Sequence, residues 1–213
     1  MDIAVIAGTP FDTKLGQEFL KKYGYDSEGY PISNTPDEQS ILQVLYPDEL
    51  NNMVKEKIKI IKKREIKNIF VYCNSLSAAV DMEKLSKEFH VNIITPLQVY
   101  VDMGREFNII GVLAANNQSA FGIEKVIQKW NPQAHIIGIG ALPIVNAIER
   151  NLESKEIVEK LGLDKAMEFF KHINCEVVIL GCTHFPYFYE ELKKKSSIPI
   201  IDPAVKMLEK LII

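Results

Sequence analysis

The chain has 213 residues, of which 47% are hydrophobic and 25% charged, and its net charge is −3. That length is enough for one large or two small globular domains with sizeable cores, and the composition excludes disorder as the main state. The weakly acidic balance gives no basis for nucleic acid as a partner, and no apolar run approaches the roughly 20 residues of a membrane span.

The opening "MDIAVIAG" enters a strand over 3–7 directly, with no basic stretch of the kind that begins a secretory signal, so a cytoplasmic protein is expected. An amphipathic helix follows at 12–23, then a weak strand near 30–33. A long helical pattern over 37–64 is broken at Pro47, which cannot continue a helix. Its second half, "MVKEKIKIIKKREIKN", is rich in Lys and spaces Met53, Val54, Ile58, Ile61 and Glu65 at helical intervals. This pattern fits a covering helix with a solvated basic face better than a binding surface.

The next strand, 68–72, is rich in β-branched and aromatic residues and ends abruptly in "CNSLS". Beyond it, Ala79, Met82, Leu85 and Phe89 predict a helix over 77–88, with Ser75 or Ser77 as its N-cap. Further strands are expected at 91–94, 109–114, 135–139, 176–180 and 198–201, and helices at 117–130, 154–173 and 187–195. Strands alternating with helices imply parallel sheets with right-handed crossovers. The fold class expected is therefore α/β.

The two halves repeat one another. "IAVIAG" corresponds to "IGVLAA", "FVYCNS" to "VILGCTH" and "NIITP" to "PIIDP"; Tyr23 to Trp130 is a step of 107, Cys73 to Cys182 of 109, and Pro96 to Pro203 of 107. Landmarks in the same order at nearly one step predict two similar flavodoxin-like lobes, residues 1–96 and 97–213, related by a pseudo-twofold axis, with the last helix packing back on the first lobe. Ligands of open parallel sheets sit beyond the carboxyl ends of strands, so the expected site is a cleft between the lobes, carrying Cys73 on one side and Cys182 on the other.

Three cysteines, Cys73, Cys175 and Cys182, are odd in number and far apart, which favours free thiols over a disulfide framework. Each of Cys73 and Cys182 is expected at the start of a helix, where the field lowers a thiol pKa. Two thiols flanking one carbon suit stereoinversion, one taking the α-proton of a small carboxylate substrate and the other returning a proton to the opposite face. Helix-end N–H groups and the hydroxyls of Ser75 and Thr183 would stabilise the carbanion. Cys175 has no partner motif and reads as a buried small hydrophobe. A metal site from Cys73, Cys182 and His184 has suitable ligand types but lacks the close spacing of structural zinc sites, and none is expected.

"YCNSLSA" and "LGCTHFP" resemble the paired cysteine motifs of the aspartate/glutamate racemase superfamily, roughly C-N-[TS]-x-S-A and G-C-T-H-[YF]-P. The resemblance covers nearly the whole chain. It implies a cofactor-independent amino-acid racemase acting on glutamate and/or aspartate, with Cys73 and Cys182 as bases and His184 assisting Cys182. Asn74, Ser75 and Thr183 would bind substrate. In glutamate racemases an Asp-Ser-Gly follows the first strand, whereas this chain has Ala7-Gly8-Thr9; the stretch Gly8-Thr9-Pro10 is closer to the glycine-rich loop of aspartate racemases and is expected to contact substrate. Asp12 is the nearest acid and reads from sequence as a turn or cap residue. In the second lobe "AANNQSAFG" stands where relatives have a hydroxyl-bearing loop, so Asn117 and Gln118 take that place. Relatives often form homodimers, and the same is implied here. The alternatives are another reaction of the superfamily, of the hydantoin racemase or maleate isomerase type, or a non-catalytic binder of small carboxylates.

Overall fold

A computed structural model describes residues 2–212 and resolves into two compact units, the first running to Val99 and taking in the helix that begins at Ala204, the second spanning Tyr100–Pro203. The first unit is built from β1 (Ile3–Ala7), α1 (Pro10–Lys22), β2 (Ser27–Pro31), α2 (Pro36–Leu45), α3 (Pro47–Lys63), β3 (Asn68–Val71), α4 (Asn74–Ala79), α5 (Met82–Phe89) and β4 (Asn92–Ile94). Its sheet is parallel throughout, in the order β2-β1-β3-β4. Every residue of β1 and the Ile69-Phe70-Val71 run of β3 is buried, because helices cover both faces; each such Ile or Val contributes roughly 1.5–3 kcal/mol.

A connecting helix, α6 (Leu97–Glu106), leads into the second unit. There β5 (Ile109–Ala114), α7 (Asn117–Trp130), β6 (His135–Gly140), α8 (Leu142–Glu149), α9 (Ser154–Lys160), α10 (Leu163–His172) and β7 (Val177–Gly181) are followed by a 3-10 turn at Phe185–Phe188, α11 (Tyr189–Lys195) and β8 (Ile200–Ile201). The parallel order β6-β5-β7-β8 repeats that of the first unit strand for strand. The last helix, α12 (Ala204–Ile212), belongs to the first unit, where it meets β4. In both sheets the chain first adds a strand on one side and then moves to the other, so the strand order reverses between β1 and β3 and between β5 and β7. These are the switch points at which ligands of open α/β sheets bind.

Local chemistry explains where elements begin. Thr9 and Thr35 cap α1 and α2, each hydroxyl accepting from the backbone N–H three residues on at 3.2 Å, with proline at the first helical position. Pro47 separates α2 from α3 as expected. The basic stretch forms α3, where Leu50, Val54, Ile58 and Ile61 are buried; Glu65 lies past its end, exposed, in a left-handed conformation. Lys55 pairs with Glu88 at 3.0 Å and Lys62 donates to the Phe89 carbonyl at 2.7 Å, so part of the basic face ties α3 to α5.

Several boundaries differ from the sequence reading. The helix expected over 77–88 is two helices: α4 starts at Asn74 and stops at the extended Val80, and α5 restarts behind Asp81, whose carboxylate accepts from Lys84 N–H at 2.9 Å. Neither Ser75 nor Ser77 is the N-cap. Cys73 holds that position in extended backbone, and the Ser77 hydroxyl turns back to the Cys73 carbonyl at 2.7 Å. The expected 154–173 helix is interrupted at Gly162, which has φ of +76°, a conformation that suits glycine. Helix α8 is absent from the sequence reading; it carries Pro143 in its first turn, where proline is tolerated. β2 is a half-exposed edge strand ending in proline, which accounts for its weak pattern.

Candidate active site

The first cysteine is fixed by β3. Tyr72 N–H donates to the Ile6 carbonyl at 2.8 Å, keeping the chain in register with β1 for one residue past the strand, and Cys73 follows at the switch point. Its Sγ lies 3.3 Å from Ser75 Oγ. Across from it is Gly8, at the carboxyl end of β1. A Cβ on Gly8 would stand 3.4 Å from Cys73 Sγ, 3.4 Å from Gln39 Cγ and 3.6 Å from Asp12 Oδ2, so a space the size of a methyl group is bounded by a thiol, an amide-bearing side chain and a carboxylate.

Asp12 is 2% exposed, and its Oδ2 accepts from Gly8 N–H at 3.3 Å while its own N–H donates to Thr9 Oγ1 at 3.2 Å. Its carboxylate thus holds Gly8, the residue before the Thr9 cap, and borders the same Gly8 position as the thiol. Thr9, Asn74 and Ser75 are buried at the same end of the sheet, whereas Pro10 is exposed on the first turn of α1.

The second cysteine ends β7. It is not at the start of a regular helix: Cys182, Thr183 and His184 form a turn leading into the 3-10 segment, because Pro186 and the aromatic pair Phe185 and Phe188, 5.1 Å between rings, favour a tight turn packed on the core. Tyr187 OH donates to the Leu152 carbonyl at 3.0 Å, and Ser154 Oγ donates to the Tyr187 carbonyl at 3.0 Å, pinning the turn to the segment after α8. This brings His184 against the last residue of α8. His184 Nδ1 lies 3.7 Å from Cys182 Sγ, and Nε2 lies 3.0 Å from Glu149 Oε1. A carboxylate can only accept from the neutral ring's N–H, so Nε2 carries the proton and Nδ1 presents its lone pair to the thiol. Cysteine, histidine and carboxylate thus form an activated-nucleophile arrangement with the histidine oriented from behind.

Beside this group is Tyr100, fully buried, whose phenol is pushed well above its usual range by burial and further by the nearby charges of Asp202 and Cys182. It stays a neutral donor. Asp202 follows β8, the neighbour of β7, so all three groups gather at the carboxyl edge of one sheet. Cys175 lies at the other end of β7, and burial pushes its thiol pKa up.

Asn117 and Gln118 are exposed at the start of α7. Asn117 Oδ1 lies 2.6 Å from where a Cβ on Gly140 would be, on the β6 side of the sheet and away from β7. The cap of α7 is Asn116, whose Oδ1 accepts from Ser119 N–H at 2.9 Å and Ser119 Oγ at 2.7 Å. Glu149 was not anticipated, since it is 35 residues from His184 on a helix that went unread. Among the described residues no group of three or more His, Cys, Asp or Glu converges as a metal site, and no helix is long and apolar enough to cross a membrane.

Two parallel α/β units of one strand order, each with a polar-flanked cysteine ending its third strand, define a class of internally duplicated two-thiol proteins. The chain belongs to the Asp/Glu/hydantoin racemase family, whose pattern matches residues 14–210. Among curated relatives, the glutamate racemase of Limosilactobacillus reuteri is 27% identical over 155 residues, which is 70% of this chain and 57% of that protein. A Clostridium botulinum glutamate racemase is 28% identical over 161 residues, covering 73% of this chain and 62% of that protein. The chain thus spans less than two thirds of these relatives' length. Among solved structures, glutamate racemase from Francisella tularensis in complex with D-glutamate superposes with a TM-score of 0.79 at 23% identity, covering 99% of this chain and 79% of that one. An aspartate racemase homologue from Pyrococcus horikoshii gives 0.67 at 16% identity, covering 99% and 97%.

Proposed function

We propose that this protein interconverts the L and D forms of an acidic amino acid, glutamate and/or aspartate, by a two-base mechanism that uses only its own side chains. The observation that carries the reading is the duplication of a thiol at equivalent switch points, Cys73 after β3 and Cys182 after β7.

In one direction a thiolate takes the α-proton. The C–H bond breaks, its electron pair delocalises into the substrate carboxylate as an enediolate-like state, and the other thiol gives its proton to the opposite face of the carbon. The two cysteines finish with their protonation exchanged, ready for the reverse reaction. His184 receives the Cys182 proton at Nδ1 and Glu149 stabilises the resulting imidazolium. Asp12 provides the carboxylate beside Cys73. Hydroxyls of Ser75 and Thr183, with Asn74 and Thr9, bind the substrate carboxylate and stabilise the charge that develops there.

The test is proton NMR in D₂O with L-Glu, L-Asp and a panel of other L-amino acids, with chiral chromatography of the products. Loss of the α-proton signal together with the D enantiomer supports the reading and names the substrate; absence of exchange on every amino acid overturns it.

A further inference from the structure

We propose that Gln39 is a substrate-recognition residue, its side-chain amide donating to the side-chain carboxylate of the acidic amino acid. This rests on the racemase reading and specifies how the first unit would read the far end of the substrate.

Gln39 is one turn into α2, a helix in contact with α4, the helix opened by Cys73, and it is 5% exposed. Its two amide atoms have different fates. Oε1 accepts from Ser33 Oγ at 3.1 Å, the neighbouring Gly8 carbonyl being supplied by Ser33 N–H at 2.9 Å. Nε2 is buried and has no hydrogen-bond partner among the described residues. A buried donor left unsatisfied is unfavourable, and buried polar groups are satisfied in the great majority of cases, so a persistent exception beside a reactive group points to a ligand.

The position agrees. Gln39 Cγ and Cys73 Sγ each lie 3.4 Å from the same point, the absent Cβ of Gly8, so both side chains border one small space. The group that completes it must carry an acceptor. The substrate α-carboxylate belongs next to Ser75, which touches the thiol directly at 3.3 Å. Gln39 borders the same Gly8 position as the thiol, and its amide is proposed to take the remaining carboxylate of an acidic substrate. The amide is uncharged, so it favours an anionic oxygen without neutralising the acidity that the reaction needs at the α-carbon.

Gln39→Glu isolates the donor, because it keeps an oxygen for Ser33 and replaces only the NH₂. Gln39→Met removes the donor without adding charge and serves if the glutamate variant unfolds. With the amino acid that the wild type racemises, the expected result at pH 8 is a KM raised at least about tenfold with kcat within about threefold, the signature of lost binding to a charged group. The Gln39→Glu defect should shrink as pH falls and the new carboxyl regains a proton to donate, a recovery that a purely structural defect would not show. Unchanged KM in a folded variant overturns the proposal while leaving the racemase reading intact. Should the wild type exchange no amino acid, that reading fails separately, and calorimetric binding of L-glutamate and glutarate to wild type and Gln39→Glu decides the role of Gln39. Binding weakened tenfold supports it; equal binding, or none to either protein, overturns it.

Discussion

His184 Nε2 sits 3.0 Å from Glu149 Oε1, and this contact leaves Nδ1 facing Cys182 Sγ at 3.7 Å. A helix terminus and a strand terminus 35 residues apart thereby set the tautomer of one imidazole. Glu149→Gln keeps the shape but lets the amide present either a donor or an acceptor to Nε2, so the ring loses its fixed tautomer. The expected result is a fall in kcat of up to roughly a hundredfold, the low end of what a positioned acid–base group contributes. Initial rates measured separately from the L and D enantiomers check it.

Cys73→Ser and Cys182→Ser each remove one base of the proposed pair. Inversion should fall by about 10²- to 10⁴-fold in either variant. Each variant should retain some α-proton exchange from one enantiomer only, the one whose proton faces the remaining thiol, and the two variants should retain opposite enantiomers. Deuterium incorporation followed by mass spectrometry distinguishes this from simple loss of fold. Wild-type inversion in either variant would end the two-base assignment.

Gly140, at the end of β6, has no room for a side chain: a Cβ would come within 2.3 Å of the Asn116 carbonyl carbon and 2.4 Å of Asn117 N. These are backbone atoms at the start of α7 and cannot swing aside. Gly140→Ala should destabilise the protein by at least about 3 kcal/mol, at or beyond the upper end of ordinary overpacking, as read by urea denaturation.

The raised pKa of Tyr100 makes stability depend on alkaline pH. Below its unfolded value of 10.0 the phenol is protonated in both states and its contribution is constant. Above that value only the unfolded chain releases the proton, so stability falls with rising pH, by at most about 1.4 kcal/mol per pH unit for this group. Melting temperatures from pH 9 to 11 should drop more steeply for the wild type than for Tyr100→Phe, and the difference between the two curves isolates this phenol from Tyr30, which is pushed up to about 12.

The elements that position the thiols were readable because buried parallel strands write themselves as unbroken β-branched runs. "IFV" and "VVIL" end in polar residues where the sheet ends, and Cys73 and Cys182 mark those ends. The duplication follows from the same runs at a nearly constant step, whereas the strand order comes from the pairing of the strands. What escaped was set by contacts between distant segments. Glu149 carries no motif, and the hydrogen bonds of Tyr187 to Leu152 and of Ser154 to Tyr187 help hold the segment after its helix against the turn that carries His184. Asp12 read as a turn residue and does hold the Gly8 N–H, but its depth beside Gly8 depends on the closeness of β1 and β3. Asn117 and Gln118 open α7 and are exposed, while the cap itself is Asn116.

Helix α12 buries Ala204, Met207, Leu208 and Leu211 yet belongs to the unit whose sheet is written at the opposite end of the sequence. During translation, β1 to β4 leave the ribosome long before this helix does, and the intervening unit must be made in full before the earlier one is finished. Folding cannot then proceed strictly from N- to C-terminus, as it does for domains strung in sequence. A nascent chain halted near Pro203 would hold a complete second sheet with its cysteine in place, while the sheet bearing Cys73 would still lack its last apolar cover.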